Sequence, residues 1–77
     1  MNSAVGELRQ MDRTGDTRIK WNRNNDGEVA AARAHFDALK NKGYIAYKAD
    51  GETKGEVIKE FDPSAREIIM APPTRGG

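Results

Sequence analysis

The densest group of side chains that could do chemistry is a set of carboxylates in the last third of the sequence: Glu56, Glu60, Asp62 and Glu67. A carboxylate pair can transfer protons or hold a divalent cation with oxygen ligands. Basic residues are interleaved with these carboxylates, a pattern typical of a solvated face with salt bridges. We therefore predict no metal site here. The adjacent segment 51–55 has the glycines and lysine of a phosphate loop without its spacing, so it predicts a turn.

Other residue types that perform catalysis are scarce. The chain has no cysteine, which excludes disulfides, thiolate zinc sites and cysteine nucleophiles. His35 is the single histidine, and a histidine on the flank of a helix is more often a boundary residue than a general base. Ser3 and Ser64 lie outside any nucleophile-elbow context. Trp21 could stack on a base or a sugar, but the only tryptophan of so small a chain is more often a core residue. We expect no enzymatic activity and no cofactor.

The final residues, Arg75-Gly76-Gly77, offer a different chemistry. Two glycines have no Cβ and accept any backbone conformation, so they can thread a narrow enzyme channel and present an unhindered carboxylate. A proline pair precedes them. We predict that residues 74–77 form a flexible tail in which Arg75, Gly76 and Gly77 act as a docking arm.

The charge of the chain is small and evenly distributed. Its 77 residues include 13 basic and 12 acidic side chains, for a net charge of +1, and this length allows one domain. No segment has the basic stripe that tight nucleic-acid binding requires, so nucleic acid is not the expected partner. The longest apolar run, residues 68–71, is too short to span a membrane, and residues 1–7 lack the pattern of a signal peptide. Without cysteine, this favours a cytoplasmic protein.

One helix is predicted in the middle of the chain. Asn25 and Glu28 have the spacing of a capping box, and Gly43 is the residue type that ends a helix in a left-handed conformation. Between them, apolar residues recur along one helical face: Val29, Ala32, Phe36 and Leu39. The pattern predicts one amphipathic helix of about four turns.

Alternating residues bounded by turns predict four strands, at residues 17–22, 44–49, 56–61 and 66–71. Short connections between the last three favour an antiparallel meander. The predicted fold class is α+β, a two-layer β-α-β-β-β sandwich with the helix packed on a mainly antiparallel four-stranded sheet. Residues 1–11 are expected to form a loose N-terminal extension, and residues 12–73 the single domain.

The predicted core takes one face of each element: Ile19, Trp21, Val29, Ala32, Phe36, Leu39, Ile45, Tyr47, Val57, Phe61, Ile68 and Met70. The choice between Val57 and Ile58, and between Ile68 and Ile69, stays open because a one-residue slip exchanges the two faces of a strand. The other face of the sheet is predicted to carry an exposed apolar patch of Tyr44, Ala46, Ile58 and Ile69.

The ending Arg75-Gly76-Gly77 resembles the tail of the ubiquitin-like β-grasp family, as do the chain length, the single helix against a sheet and the absence of cysteine. The resemblance implies a modifier protein that is conjugated through the Gly77 carboxylate, with Gly76 and Arg75 as recognition elements. It also implies a β-hairpin before the helix, whose first strand residues 4–11 would have to supply.

The run from Asp12 to Gly77, with its Pro-Pro and Gly-Gly ending, is also similar to short uncharacterised bacterial and phage proteins, which implies a bacterial or phage cytoplasmic setting. We expect a small non-enzymatic protein-interaction module that binds a protein partner through the predicted patch and the docking arm. A sheet edge can also accept a partner strand or close a homodimer. The alternative is the ubiquitin-like modifier. A third candidate is a nucleic-acid binder, with these residues: Arg18, Lys20, Arg23 and Trp21.

Overall fold

The computed structural model describes residues 5–12, 15–49 and 55–73, which form one helix packed on a five-stranded mixed sheet. The elements in chain order are β1 (Val5–Asp12), β2 (Gly15–Asn22), α1 (Asp26–Asn41), β3 (Ile45–Ala49), β4 (Glu56–Ile58) and β5 (Glu67–Ala71). The strand order in the sheet is β2-β1-β5-β3-β4. Strands β1 and β5 are parallel to each other, and every other pair of neighbouring strands is antiparallel. The α+β class is confirmed, with a different sheet.

The helix begins and ends where its capping residues predict. Asn25 is extended, and its side chain accepts a hydrogen bond from the Glu28 N–H at 3.1 Å. The Glu28 carboxylate accepts from the Asn22 N–H at 2.7 Å, so it ties the helix to β2 instead of closing a reciprocal capping box. At the other end, Gly43 has a φ of +96°, which favours glycine.

The largest correction concerns the N-terminal segment, which the sequence predicted to be a loose extension over residues 1–11. Residues Val5–Asp12 instead form β1, one of the three interior strands, and β1 and β2 make a hairpin before the helix. The sequence of this strand does not alternate between apolar and polar residues. Gly6 and Gln10 occupy positions that face the helix, where a strand usually has large apolar residues. Leu8, fully buried, is the one large apolar residue between them. The sheet therefore has five strands and mixed directions, instead of four mainly antiparallel strands.

The register of β3 and β4 is the reverse of the predicted one. Ala46 is fully buried on the side of the sheet that faces the helix, and its partner Ile58 packs against the core. Ile45 and Val57, which were predicted to lie in the core, are 42% and 59% exposed. Tyr47 pairs with Val57 and therefore also faces away from the helix. On β5, the sequence did not decide which isoleucine faces the core. Ile68 is fully buried, and Ile69 faces outward.

Strand β4 ends at Ile58, three residues earlier than predicted, because the chain leaves the sheet to complete the core. The Phe61 ring lies edge-on to the rings of Trp21 and Phe36, with centroid distances of 5.0 and 5.7 Å. The Trp21 indole N–H donates to the Pro63 carbonyl at 3.0 Å. Residues 59–65 thus act as a connection that packs against β2 and α1. Trp21, Phe36 and Phe61 are core residues, as predicted.

Candidate interaction surface

The sheet has one face that α1 does not cover, which we call the outer face. The ladder pairings place its side chains in rows across the strands. One row runs through Val57, Tyr47, Ile69, Arg9 and Arg18, because each of these residues pairs with the next across neighbouring strands. Along this row the side chains change from apolar on β4, β3 and β5 to charged on β1 and β2. We call these two parts of the outer face the apolar half and the charged half, although β1 also carries the exposed apolar residues Val5 and Met11.

The apolar half continues in the adjacent row, where Ile45 pairs with Ala71. Val57 and Ile45 are its most exposed large side chains, and Tyr47, Ile69 and Ala71 are half-buried. Exposed apolar side chains scattered singly are ordinary on a protein surface, whereas a contiguous set on neighbouring strands is typical of a contact site. This half is the part of the described surface best suited to bind another protein.

Ion pairs hold the charged half in place. Arg9 lies between two carboxylates, with its guanidinium nitrogens 3.2 Å from Asp16 and 3.5 Å from Glu67. The hydrogen bond to Asp16, followed by the one to Glu67, raises the pKa of Arg9 above its ordinary value. Arg18 approaches Glu7 at 3.6 Å. Since these side chains are partly exposed, solvent screens each pair, and its main effect is to orient the side chains.

Tyr44 was predicted to lie in the exposed patch, but it packs against the core on the helix side of the sheet. Its hydroxyl donates to Asp12 at 2.6 Å, and this hydrogen bond is the first cause of the raised pKa of Tyr44. The Gln10 amide donates to the other oxygen of Asp12 at 2.6 Å, and the Gln10 oxygen is 2.9 Å from His35 Nε2. His35 is therefore part of a chain of hydrogen bonds that joins the helix to the hairpin.

Of the four predicted patch residues, the structure places only Ile69 on the outer face. Tyr44, Ala46 and Ile58 lie on the helix side, so their prediction as outer-face residues is wrong. The docking-arm residues Arg75, Gly76 and Gly77 lie outside the described part of the chain, as do residues 50–54 of the predicted turn. The outward residues that the sequence reading missed are Ile45, Tyr47 and Val57. Each neighbours an apolar or small residue in the chain, so alternation alone did not distinguish the two faces.

The four carboxylates of the last third do not come together. Glu67 pairs with Arg9 on the outer face, whereas Asp62 pairs with Lys48 at 3.2 Å near the connection to β5. Among the residues that the structure describes, no group of three or more histidine, aspartate or glutamate side chains could hold a metal ion. In the described ranges, Glu67 and Asp62 therefore take part in surface salt bridges.

Asp62 organises the turn that leads into β5. Its Oδ1 accepts hydrogen bonds from the Ser64 hydroxyl at 2.6 Å and the Ser64 N–H at 2.9 Å. The Ser64 hydroxyl is the first cause of the lowered pKa of Asp62, and Lys48 adds to it. A carboxylate with a lowered pKa in the folded state stabilises the protein above its unfolded pKa. This contribution is lost as the pH falls through the folded pKa.

Asp62→Asn is expected to cost about 1 kcal/mol of folding free energy at pH 7, the usual contribution of such a hydrogen bond. It should also flatten the decline in stability below about pH 4, since the titrating group is gone. Urea unfolding at a series of pH values measures both effects. Glu60→Gln, an exposed change on the same connection, is the matched control. Parallel pH curves for wild type and Asp62→Asn would contradict the assignment.

No protein-family model, curated protein or solved structure matches this chain. In the described part of the chain, α1 is neither long nor apolar enough to cross a membrane.

Proposed function

We propose that this protein is a small non-enzymatic interaction module that binds a protein partner through the apolar half of its outer face. The observation that carries the proposal is the contiguous row of Val57, Tyr47 and Ile69, with Ile45 beside it, on a face that no described element covers. The partner would contribute an apolar contact surface. Burial of apolar area drives such association at roughly 25 cal/mol per Å² before the costs of binding are subtracted.

The docking arm extends this surface in our proposal. Strand β5 ends at Ala71, which pairs with Ile45 on the outer face. Pro73 lies next to Gly43, since a Cβ on that glycine would be 3.5 Å from the proline ring. Pro73 is the last residue that the structure describes, two positions after Ala71. In our proposal, Arg75, Gly76 and Gly77 add to the contact with a partner seated on the apolar half. We propose that the protein meets this partner in the bacterial cytoplasm and is encoded by the bacterium or by a phage.

A ubiquitin-like modifier is the second candidate function, and the hairpin favours it. The resemblance of the tail implies a hairpin before the helix, and β1 and β2 form one. In this proposal, ATP adenylates the Gly77 carboxylate with release of pyrophosphate. An amine of the target then displaces AMP and forms an amide with Gly77.

One experiment in the host tests both proposals. The protein, tagged at its N-terminus, is expressed as wild type, as Val57→Asp and as a version that ends at Arg75. Val5→Asp, which adds the same charge at an exposed position on β1, is the matched control. We expect a non-covalent partner that is retained by wild type and Val5→Asp and reduced at least about tenfold by Val57→Asp, because a carboxylate replaces a buried apolar contact.

The covalent proposal has a separate readout in the same samples. Adducts that survive denaturation, with Gly77 in an amide bond by mass spectrometry, should form with wild type and disappear with the version ending at Arg75. Binding of the same partner by all variants would contradict the proposed surface. The absence of adducts from every version would remove the modifier proposal and leave the interaction module untouched.

A further inference from the structure

The two edges of the sheet differ in how well they could receive another strand. The sheet order ends at β2 on one side and at β4 on the other. β4 has three residues, Glu56–Ile58, and short edge strands resist pairing with other chains. β2 has eight residues, Gly15–Asn22, and no described strand lies beyond it. The long edge of β2 is therefore the better template for strand addition.

The hydrogen-bond directions show which residues of β2 face that edge. The Glu7 N–H donates to the Arg66 carbonyl at 3.1 Å, away from β2. Glu7 pairs with Lys20, and in an antiparallel pair both opposite residues direct their backbone groups away from each other when they do not exchange bonds. Lys20 therefore points its N–H and C=O to the open edge. By alternation, Arg18 and Asp16 do the same.

One end of the edge is closed by the protein itself. Asn22 has the same orientation as Lys20, but its N–H donates to Glu28 at 2.7 Å and its C=O accepts from the Asn25 N–H at 2.9 Å. The segment that can receive a strand is consequently Asp16–Lys20. This segment is long enough for a short extended peptide.

The side chains around the edge specify the chemistry of the occupant. Arg18 and Lys20 are exposed on the outer face, and the Arg18 side chain is 61% exposed with its nearest carboxylate, Glu7, at 3.6 Å. On the helix side the edge presents Ile19, which is half-buried against the core. An added strand with acidic groups on one face and apolar groups on the other would match both sides. A second copy would bring its own Arg18 and Lys20 to the same face, so like charges oppose self-pairing.

We propose that the open edge of β2 binds an extended segment of a partner protein in which acidic and apolar side chains alternate, and adds it to the sheet as a sixth strand. Backbone hydrogen bonds to Asp16, Arg18 and Lys20 supply the pairing. The two basic side chains select the acidic face of the segment, and Ile19 contacts its apolar face. This surface is separate from the apolar half, which lies toward the opposite edge.

The test uses the full chain, labelled with ¹⁵N, and the peptide Asp-Val-Asp-Val-Asp-Val with acetylated and amidated ends. We expect amide shifts concentrated at residues 16–20 and an affinity that falls as salt is added. A block peptide of the same composition, Asp-Asp-Asp-Val-Val-Val, and the basic peptide Lys-Val-Lys-Val-Lys-Val should bind at least about fivefold more weakly, because neither places acids and apolar groups on opposite faces beside this edge.

Three variants separate charge from backbone pairing. Lys20→Glu should weaken peptide binding about tenfold, since attraction becomes repulsion, while Lys59→Glu, an exposed reversal on another segment, leaves it unchanged. Arg18→Gln removes the charge and keeps the N–H that faces the edge. Arg18→Pro removes both, at a position where a strand tolerates proline, and should bind the peptide about tenfold more weakly than Arg18→Gln. Val57→Asp should bind the peptide normally.

Three outcomes would overturn the inference. The first is no binding of the alternating peptide. The second is a set of shifts centred on Ile45, Tyr47 and Ile69, which would assign the peptide to the apolar half. The third is a molecular mass that doubles with protein concentration in the absence of peptide and is reduced to the monomer by Arg18→Pro, which would make a second copy the occupant of the edge.

Discussion

Gly6→Ala should lower the stability of this protein by about 3 kcal/mol or more, the upper range for adding a methyl group to a packed core. A Cβ on Gly6 would overlap Trp21 Cζ2 and lie 2.8 Å from the Ala65 carbonyl oxygen. Neither neighbour can give way easily. The indole is fully buried and held by its hydrogen bond to Pro63, and the other contact is backbone.

Such a loss is large for a domain of this size. At roughly 0.05–0.15 kcal/mol per residue, the whole chain has about 4–11 kcal/mol of stability. The midpoint of thermal unfolding should fall by roughly 12–24 °C, since 1 kcal/mol corresponds to about 4–8 °C in domains of this length. Urea and thermal unfolding measure the change directly.

Two further variants locate the cause in the contact with Trp21. Gly27→Ala, in the first turn of α1, adds the same methyl group 3.3 Å from the Asn25 Oδ1 that caps the helix. A small shift relieves this contact, so the gain in helix propensity and the weaker cap should leave stability within about 1 kcal/mol of wild type. Trp21→Phe removes the atoms closest to the new Cβ, so the double variant should lose less than the sum of the two single variants. Wild-type stability for Gly6→Ala would show that β1 does not pack as described.

Ala46→Asp is expected to cost about 3 kcal/mol or more, because it buries a carboxylate with no partner. Ala46 is fully buried, on the helix side of the sheet, between Met70 on β5 and Ile58 on β4. Its chain neighbour Ile45 is 42% exposed on the outer face. Ile45→Asp should therefore cost about 1 kcal/mol or less, the range of strand propensity at an exposed position.

This pair of variants decides the register of β3. Both variants carry the same new charge, one residue apart. Strand propensity alone would make Ile45→Asp the more damaging change, because isoleucine favours strands more than alanine does, so the expected order depends on the inward direction of the Ala46 side chain. Urea midpoints at neutral pH compare them. If Ile45→Asp were the more damaging change, the inward face predicted from the sequence would be correct and the apolar half of the outer face would not exist.

The helix was predictable because its signals are local. Asn25, Glu28 and Gly43 act within one turn of the residues they cap, and the stripe from Val29 to Leu39 has one interpretation at helical spacing. The burial of Trp21, Phe36 and Phe61 was also predictable, since the largest apolar residues of a small domain are usually buried.

The hairpin strand β1 was not predictable from alternation. Gly6 faces inward because the Trp21 ring occupies the space that a side chain would fill, and this fact involves two strands at once. Gln10 faces inward because His35 and Asp12 satisfy its amide. Glycine and glutamine at these positions are typical of a loop, and only their contacts with Trp21, His35 and Asp12 show why they lie in a strand.

Which apolar residues lie on the interaction surface was also not predictable from the sequence. The strands β3, β4 and β5 each contain consecutive apolar or small residues, and their residue types alone fit either register. Hydrophobic burial chooses between the registers only when the helix and the connection carrying Phe61 are in place.

The amino-acid sequence by itself determined the class of the fold, the limits of the helix and the scarcity of catalytic residue types, because these depend on composition and on neighbours within one or two turns. The tertiary structure decided the place of β1, the inward faces of β3 and β4, and therefore which apolar residues remain on the surface. Those features depend on contacts between residues distant in the chain, such as the parallel pairing of Leu8 with Ile68. A short sequence pattern contains no information about which distant strand becomes its neighbour.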